Sequence, residues 1–513
     1  MKIGIYDKWL NTLGGGEKVA TTISEILSRQ NHDVYLIGNA EMEKKEIEDK
    51  MGVDLSRVKL ISWLERAYDK LSPLTKKFDL LINVSFLDHL PSQAKKSVYY
   101  IHFPTPLRNG FWDYFKYELI LPFLRNFLII PSIQLGIENL DEIYMRSGKW
   151  LSSINNIVIF NTAKKFTITF RIYDGQIKTA SLESVYFSSP NCKLKLINRY
   201  VDHFTSVLTY KFNVDVLKNQ SAIFRLHVKD SFKKRNLGLV SLTVTDLRYF
   251  LWNCFKRFFP KYEMALYGSS SYKPAAGLDT YQTFIANSEF TRKWTKKYLS
   301  REATVIYPPV DVEKFKCGKK KNIILNIGRF FVGGHSKRQD ILIKAFKQMI
   351  DDNLLDNSWE LHLIGGKGLG EDNEEYIEKV QKRIRGYKIF IHFSPSFNKL
   401  KEIVSKAKIY WHATGYGLNE NKTPIQFEHF GISVVEAMAA GAVPIVINGG
   451  GLPEIVTDEV GRTWRSLEEL KARTHEIISD EKLLSNLSKM AQEKSKKFSK
   501  KIFADRLLEI LKI

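Results

Sequence analysis

The chain has 513 residues, 44% of them hydrophobic and 26% charged, which is typical of a globular protein with more than one domain. Its 78 Lys and Arg against 56 Asp and Glu give a formal net charge of +22, which favours anionic partners such as phosphate-bearing substrates or anionic lipid. The sequence has no arginine-rich arm, zinc-finger spacing or aromatic RNA-binding motif, so nucleic acid is not an expected partner.

The first 110 residues alternate short apolar runs with segments of helical periodicity, the pattern of a parallel sheet built from βαβ units. Lys2 to Asp7 is predicted to be a strand and Glu17 to Arg29 a helix. The same pattern returns before residue 310, so we predict an N-terminal Rossmann-like domain in two pieces, 1–110 and 247–310. Since the chain passes from Met1 directly into a strand, we expect no signal peptide.

The pattern changes between these two pieces. Residues 111–150 are predicted to be a helical segment, and its apolar stretch from Leu119 to Ile137 is too interrupted for a membrane span. Apolar and polar residues then alternate, most strictly from Leu208 to Val216. We therefore predict an antiparallel β domain, 151–246, inserted into the N-terminal domain, with a type I′ hairpin at Asp174-Gly175.

Residues 311–480 show the βα alternation more clearly and are predicted to be a second Rossmann-like domain, followed by a lysine-rich helical tail over 481–513. The fold class is therefore α/β, with two Rossmann-like domains facing a cleft. Parallel sheets of this kind bind ligands at the carboxyl ends of their strands, so the cleft between the two domains is the expected active site.

The segment from Glu428 to Glu436 carries the most chemical information. Ser433 is predicted to be the N-cap of a helix, with Glu436 completing a capping box. Free backbone N–H groups around Gly431 and Ile432 would then suit a diphosphate. Glu436 has two interpretations, a helix cap or a ligand-binding carboxylate, whereas Glu428 lies outside the helix and has no capping role.

This segment resembles the E-x7-E motif of family-4 retaining glycosyltransferases of the GT-B fold. The resemblance covers about residues 1–110 and 270–480, and it leaves out the β domain. The loop from Ala413 to Phe427 is longer than the family pattern. Further motifs resemble the same family, and most of all its α-1,2-mannosyltransferases that extend lipid-linked oligosaccharides. These motifs are Gly14 to Val19, Tyr100 to Pro104, Tyr307 to Asp311, Gly328-Arg329 with Lys337, Glu428 to Gly431, and Gly449 to Val456.

The resemblance implies a retaining hexosyltransferase of EC 2.4.1 type. It would move a hexose, mannose or glucose, from a GDP- or UDP-linked nucleotide sugar to a hydroxyl of a glycan or a polyprenyl-pyrophosphate-linked acceptor. The N-terminal domain would bind the acceptor, and neither a metal nor another cofactor would be needed. The expected location is cytoplasmic and peripheral, on the inner face of an anionic membrane. Two alternatives stay open: a soluble enzyme similar to glycogen or sucrose synthases, and a non-catalytic sugar-binding protein on the same fold.

The resemblance also implies roles for individual residues. Glu428 would contact the donor sugar and Glu436 the ribose hydroxyls, while Arg329 and Lys337 would neutralise the leaving diphosphate. His102 would contact the donor sugar or shape the reacting centre, although a lone histidine at a strand end is as often structural. The predicted catalytic residues are Glu428, His102, Arg329 and Lys337, and the predicted nucleotide-binding residues are Gly15, Gly16, Arg329, Lys337, Gly431, Ile432 and Glu436, with no metal ligand.

Overall fold

The first strand shows how the sequence sets the fold. Ile3 and Ile5 are fully buried, and so is Tyr6 on the opposite face, because helices cover both sides of a parallel sheet. In this computed structural model the described residues are 1–10, 14–38, 43–62, 68–86, 88–107, 110–120, 132–135, 138–140, 149–151, 154–160, 163–174, 181–202, 205–217, 221–229, 237–245, 275–333, 335–368 and 371–513.

The first 120 residues alternate strands and helices, as the sequence predicts. The strands are β1 (Lys2–Asp7), β2 (Asp33–Gly38), β3 (Val58–Ser62), β4 (Leu80–Asn83) and β5 (Lys96–Ile101). The helices are α1 (Gly15–Arg29), α2 (Lys44–Met51), α3 (Tyr68–Thr75) and α4 (Phe111–Tyr114), the last continuing as a π-helix over Phe115–Ile120.

The described residues from 132 to 245 are strands and the turns between them. The prediction of a helical segment over 111–150 is therefore wrong for 132–135, 138–140 and 149–150, which are strands, whereas residues 121–131 lie outside the described structure. Ser-Ile-Gln-Leu at 132–135 alternates polar and apolar residues, which is the two-residue period of a strand. The strands are β6 (Ser132–Leu135), β7 (Glu138–Leu140), β8 (Lys149–Trp150), β9 (Ile154–Phe160), β10 (Lys165–Asp174), β11 (Val185–Ser188), β12 (Cys192–Asp202), β13 (Val207–Val216), β14 (Ser221–Val228) and β15 (Leu237–Thr245).

These strands form the inserted antiparallel β domain that the sequence predicts. Their sheet orders, within the described residues, are β12-β13-β10-β15-β8 and β11-β14-β9-β6-β7. Phe170, Phe212 and Phe224 pack in the shared core between the two sheets. The hairpin predicted at Asp174-Gly175 is wrong, because β10 pairs with β13 and β15 while the next strand, β11, pairs with β14 in the opposite sheet. Gly175 itself lies outside the described residues.

The rest of the chain returns to βα alternation. Its strands are β16 (Thr283–Ala286), β17 (Thr304–Val305), β18 (Lys321–Ile327), β19 (Glu360–Gly365), β20 (Ile389–Phe393), β21 (Ala407–His412), β22 (Val443–Ile447) and β23 (Arg462–Trp464). Its helices are α5 (Glu289–Leu299), α6 (Gln339–Asp351), α7 (Glu371–Arg383), α8 (Phe397–Lys406), α9 (Ile432–Ala439), α10 (Leu452–Ile455), α11 (Leu467–Ser479), α12 (Glu481–Ser495) and α13 (Lys500–Leu511).

Two parallel sheets result, each with a reversal of strand order near its centre. The N-terminal order is β17-β16-β5-β4-β1-β2-β3, and the C-terminal order is β20-β19-β18-β21-β22-β23, counted over the described residues. Since β16 pairs with β5, the N-terminal domain is discontinuous, as predicted. The reversals fall between β1 and β4 and between β18 and β21. Ligands bind at such switch points, beyond the carboxyl ends of the strands.

Side chains from both ends of the chain hold the two domains together. The last helix, α13, places Phe503 and Leu507 in the core of the N-terminal domain. The carboxylate of Glu454, on α10 of the C-terminal domain, accepts hydrogen bonds of 2.8 and 2.7 Å from the backbone N–H groups of Glu289 and Phe290 at the start of α5. These contacts join the two domains. In the described ranges, no helix is both long and apolar enough to cross a bilayer.

Candidate functional site

Residues with predicted roles follow the strands on either side of each switch point. In the N-terminal domain, β1 leads to the glycine loop at Gly14 to Gly16, and β5 is followed directly by His102. In the C-terminal domain, β18 is followed by Gly328 and Arg329. These positions open onto the same cleft, since parallel strands present their carboxyl ends along one edge of a sheet.

Glu428 lies at the centre of an ion-pair cluster. Its carboxylate pairs with the Nζ of Lys337 and lies 3.1 Å from the Nε2 of His412, which is buried at the end of β21. Burial alone would raise the pKa of Glu428, but the charge of Lys337 and the hydrogen bond from His412 outweigh it and hold that pKa well below its usual range. Glu428 is therefore a carboxylate at neutral pH, held in place by two partners.

Gly328 is required for the placement of Lys337. A Cβ at residue 328 would collide with the Cγ of Lys337, so any other residue would push the lysine away from Glu428. Arg329, which comes next, is exposed and has its guanidinium 5.4 Å from the ring centroid of Phe331. Among the described residues, no carboxylate forms an ion pair with Arg329. Its charge is therefore available to an anionic ligand.

Helix α9 begins differently from the prediction. Its N-cap is Gly431, with a φ of +112°, and no side chain caps the helix. Ser433 lies inside the first turn and its Oγ is 2.8 Å from the hydroxyl of Tyr410, so the predicted capping box of Ser433 and Glu436 is wrong. The reason is the left-handed conformation that glycine adopts here, which starts the helix two residues earlier than the Ser-x-x-Glu pattern predicts. The N–H groups at the start of α9 are left without a side-chain cap.

Glu436 is a buried carboxyl without a capping role. Burial and the negative charge of Asp311 raise its pKa to about 8, and the nearby cation of Lys18 offsets this only in part. Lys18 comes from α1 of the N-terminal domain and is 2.8 Å from Asp311. Glu436 therefore lies where the two domains meet, and a pKa of about 8 favours its protonated form at neutral pH.

The glycine loop brings α1 of the N-terminal domain against α9 of the C-terminal domain. A Cβ on Gly15 would lie 3.4 Å from the Cδ1 of Ile432, and a Cβ on Gly16 would lie 3.2 Å from the Nε2 of His102. Gly15 and Ile432 are the first residues of their helices. Two helix N-termini, one from each domain, thus meet in the cleft, and both carry positive partial charge.

His102 has a buried Nε2 with no hydrogen-bond partner in the described structure. Burial lowers its pKa to about 4, and a hydrogen bond with the backbone of Val84 acts in the opposite direction. His102 is therefore neutral at pH 7, with one ring nitrogen directed towards the glycine loop. A buried polar atom without a partner is costly in a folded protein, and a ligand hydroxyl would satisfy it.

Three histidines that the sequence analysis did not single out complete the site. His412 binds Glu428 as described, and the ring of His429 stacks on Phe103 of the opposite domain at 4.2 Å and 11°. His335 packs edge-on against His429. His412 ends a predicted strand beside the switch point, so its position was a usable signal. The residues that stack on His429 and His335 come from other parts of the chain, so the sequence around each histidine does not predict these contacts.

The arrangement suits a ligand with an anionic diphosphate and a neutral polyol. Positive charge comes from Arg329, Lys337 and two helix N-termini. Hydrogen-bonding groups come from Glu428, whose pKa is lowered, from Glu436, whose pKa is raised, and from His102, whose pKa is lowered. Contacts bring Lys337, Glu428 and His412 together, and the glycine loop lies against Ile432 and His102. Their individual roles stay predictions.

Comparison with known proteins agrees with this geometry. The family model of the glycosyl transferases group 1 matches residues 310–494. A GDP-Man:Man(3)GlcNAc(2)-PP-Dol alpha-1,2-mannosyltransferase of Dictyostelium discoideum is 26% identical over 234 residues, 42% of this chain and 43% of that protein. An alpha-1,3/1,6-mannosyltransferase of Candida glabrata is 27% identical over 207 residues, 34% of this chain and 43% of that protein. The chain therefore spans less than half the length of the curated relatives it matches.

Solved structures share the whole architecture. A glycosyltransferase of Rickettsia africae superposes with a TM-score of 0.52 at 13% identity, over 99% of this chain and 97% of that one. The Anabaena protein HepE, in complex with UDP and glucose, superposes with a TM-score of 0.50 at 13% identity, over 100% of this chain and 99% of that one. At such identity the likeness shows the fold alone, and it confirms the predicted GT-B architecture.

Proposed function

Since residues 310–494 of this chain are a group 1 glycosyl transferase domain, we propose that the protein is a retaining hexosyltransferase that uses a nucleoside diphosphate sugar. One observation carries the proposal: Lys337 and Glu428 pair beside the uncapped start of α9, where α1 of the other domain meets it. Cationic and anionic groups held together at the carboxyl end of a parallel sheet suit a donor that carries both a diphosphate and a sugar.

The proposed chemistry divides these groups by charge. As the bond between the anomeric carbon and the phosphate breaks, negative charge grows on the leaving diphosphate, and Arg329, Lys337 and the helix N-termini stabilise it. Glu428, ionised and fixed by His412, binds hydroxyls of the donor sugar and offsets positive charge at the anomeric carbon. Glu436 binds the ribose, and the neutral His102 accepts a hydrogen bond from the sugar. The leaving phosphate takes the proton of the acceptor hydroxyl.

For the donor we propose GDP-mannose first, because the two curated relatives described above are named as mannosyltransferases and one is named for GDP-Man. For the acceptor we propose a polyprenyl-pyrophosphate-linked glycan, bound by the N-terminal domain. The net charge of +22 supports an acceptor that carries a pyrophosphate. A soluble acceptor of the glycogen or sucrose type is the second candidate.

Acceptor choice is tested by competition. The protein is incubated with a panel of labelled GDP- and UDP-hexoses and two acceptors, a short-chain polyprenyl-pyrophosphate oligosaccharide and glycogen. We expect label in the lipid-linked product, with the configuration of the donor's anomeric carbon retained. Label in glycogen alone would support the soluble alternative, and an inverted linkage would contradict retention.

We further propose that the protein works on an anionic membrane surface, through the helix from Phe111 to Ile120. Phe111 is 74% and Trp112 76% exposed, and Tyr114, Leu119 and Ile120 are exposed as well. A cluster of exposed aromatic and aliphatic side chains this dense is unusual on a surface that faces only water. Aromatic side chains favour the headgroup region of a bilayer. The remainder of the stretch from Leu119 to Ile137 lies largely outside the described residues.

The double variant Phe111→Ala with Trp112→Ala tests this surface. We expect its affinity for phosphatidylserine-containing vesicles to fall about tenfold or more, since each buried aromatic ring contributes roughly 1.5 to 3 kcal/mol. The melting temperature should not change, because both side chains are exposed. Phe390→Ala, a 43% exposed ring of the C-terminal domain, is the control and should bind as the unchanged protein does. Equal binding by all three proteins in vesicle sedimentation would contradict the proposal.

Metal independence gives a second test. We expect transfer to persist within about twofold in excess EDTA, because Arg329, Lys337 and the helix N-termini supply the charge that a divalent ion would otherwise supply. The measurement is product nucleotide released with and without chelator. Loss of activity that Mn²⁺ or Mg²⁺ restores would show that these groups do not suffice.

A further inference from the structure

The inserted β domain touches the C-terminal domain beside the candidate donor site. Arg171 and Tyr173 lie two residues apart on β10, so their side chains leave the same face of the sheet, opposite to Ile172 and the domain core. Nη2 of Arg171 is 3.2 Å from Oε2 of Glu374 in the first turn of α7. The Nζ of Lys367 lies 4.9 Å from the ring centroid of Tyr173. Both partners belong to the C-terminal domain.

Tyr173 and Phe393 enclose Lys367 between two aromatic rings. Its Nζ is 4.6 Å from the ring centroid of Phe393, at the end of β20. Tyr173 is only 8% exposed although it lies on the outer face of its sheet. A lysine ammonium between two rings in a largely buried place is held by cation–π attraction on both sides. Removal of Tyr173 would leave Lys367 with one ring.

The loop that carries Lys367 is joined to the strand end that carries Arg329. Phe330 donates a 2.9 Å hydrogen bond to the carbonyl of Gly366 and accepts a 2.8 Å hydrogen bond from Gly368. Phe330 directly follows Arg329, so the position of this loop and that of the arginine are mechanically linked. The loop from Gly365 to Gly368 also follows β19, at the edge of the sheet where the donor is proposed to bind.

We infer that Tyr173 and Arg171 of the inserted domain are positioning residues of the donor site, which hold the Lys367 loop and the start of α7 in the arrangement that binds the nucleoside diphosphate. The inference rests on the proposed function and gives the insertion a part in donor binding. The inserted domain bridges the two Rossmann-like domains, since it leaves the first and rests on the second.

The test is the affinity for GDP and UDP, titrated by calorimetry, together with steady-state donor kinetics. We expect Tyr173→Ala to weaken nucleotide binding and raise the donor KM by roughly five- to tenfold, with kcat within about twofold, since the residue acts on binding and touches no reacting atom. Tyr173→Phe should behave as the unchanged protein, because the ring is kept. Tyr186→Ala, on the exposed strand β11 of the same domain, is the matched control.

The ion pair provides a test that does not depend on the tyrosine. Arg171→Glu and Glu374→Arg should each weaken nucleotide binding, and the two together should restore it, because the double variant rebuilds the pair. The inference alone would be overturned under two conditions. The parent protein would bind nucleotide and turn over donor, and Tyr173→Ala and both single charge variants would bind nucleotide as the parent does. Failure of the unchanged protein to bind either nucleotide would overturn the proposed function and the inference with it.

Discussion

Glu428→Gln is expected to lower kcat by a factor on the order of 10² to 10³, the loss typical when one preorganised electrostatic group is removed from an active site. The structure places this carboxylate against Lys337 and 3.1 Å from the Nε2 of His412. Glutamine keeps the shape and a hydrogen-bond acceptor for His412 but loses the charge. Since the charge acts mainly when the anomeric carbon becomes positive, kcat and kcat/KM should fall together.

The control for this variant is Glu476→Gln. Glu476 also forms an ion pair, 2.8 Å from Nη2 of Arg462, but on α11 and away from the cleft. The Glu476→Gln substitution should lower the melting temperature somewhat and leave kcat unchanged. Circular dichroism and thermal melting show whether each variant folds. A Glu428→Gln enzyme that is folded and turns over donor within about threefold of the control would contradict the role given to Glu428.

Glu436→Gln is expected to raise the donor KM and the Kd of the product nucleotide by roughly five- to tenfold, as for the loss of one hydrogen bond to the ribose. The same variant should be more stable than the unchanged protein at high pH. The pKa of Glu436 is raised to about 8 in the folded protein, chiefly by burial, against an ordinary value of 4.5. The folded state therefore holds a proton that the unfolded chain releases, and this group destabilises the protein increasingly as pH rises from about 4.5 to about 8.

Thermal melting of the unchanged protein and of Glu436→Gln between pH 5 and pH 9 tests the expected direction of this pH dependence. The melting-temperature advantage of Glu436→Gln should grow with pH and level off above about 8, because glutamine does not titrate. Partial burial raises the pKa of Glu476, but Arg462 and Arg473 outweigh it and lower that pKa below its ordinary value, so Glu476→Gln should show a melting-temperature deficit that hardly changes between pH 5 and pH 9. An advantage that does not vary with pH would contradict the buried, protonated state of Glu436, and an unchanged KM would contradict the ribose contact.

The sequence predicts the two parallel sheets well because buried parallel strands are short, continuous apolar runs. Lys2–Asp7 was predicted to the residue. The site residues could be found for a related reason, since Gly328, Arg329 and His102 follow such strands directly. Within 111–150, the helical prediction failed at 132–135, because Ser-Ile-Gln-Leu has the two-residue period of a strand and tertiary pairing with β9 places it in a sheet.

Other features depend on contacts that local patterns do not encode. The Ser-x-x-Glu pattern at Ser433 is a valid capping signal, but the left-handed backbone of Gly431 starts the helix earlier. The stack of Phe103 on His429 and the approach of Tyr173 to Lys367 join residues more than 190 positions apart. The raised pKa of Glu436 follows chiefly from burial and, after that, from the charge of Asp311. Such features require the assembled fold.

The central claim is that the cleft around Lys337 and Glu428 activates a nucleotide sugar. Hydrolysis of the donor in the absence of an acceptor tests this claim most directly. Each GDP- and UDP-hexose is incubated with the protein alone, and the release of GDP or UDP is followed over time. We predict slow release from at least one donor, GDP-mannose first, and loss of that release in a folded Arg329→Ala, Lys337→Ala double variant. No release from any donor, or equal release by the double variant, would contradict the claim, and the first result would favour a non-catalytic sugar-binding protein on this fold.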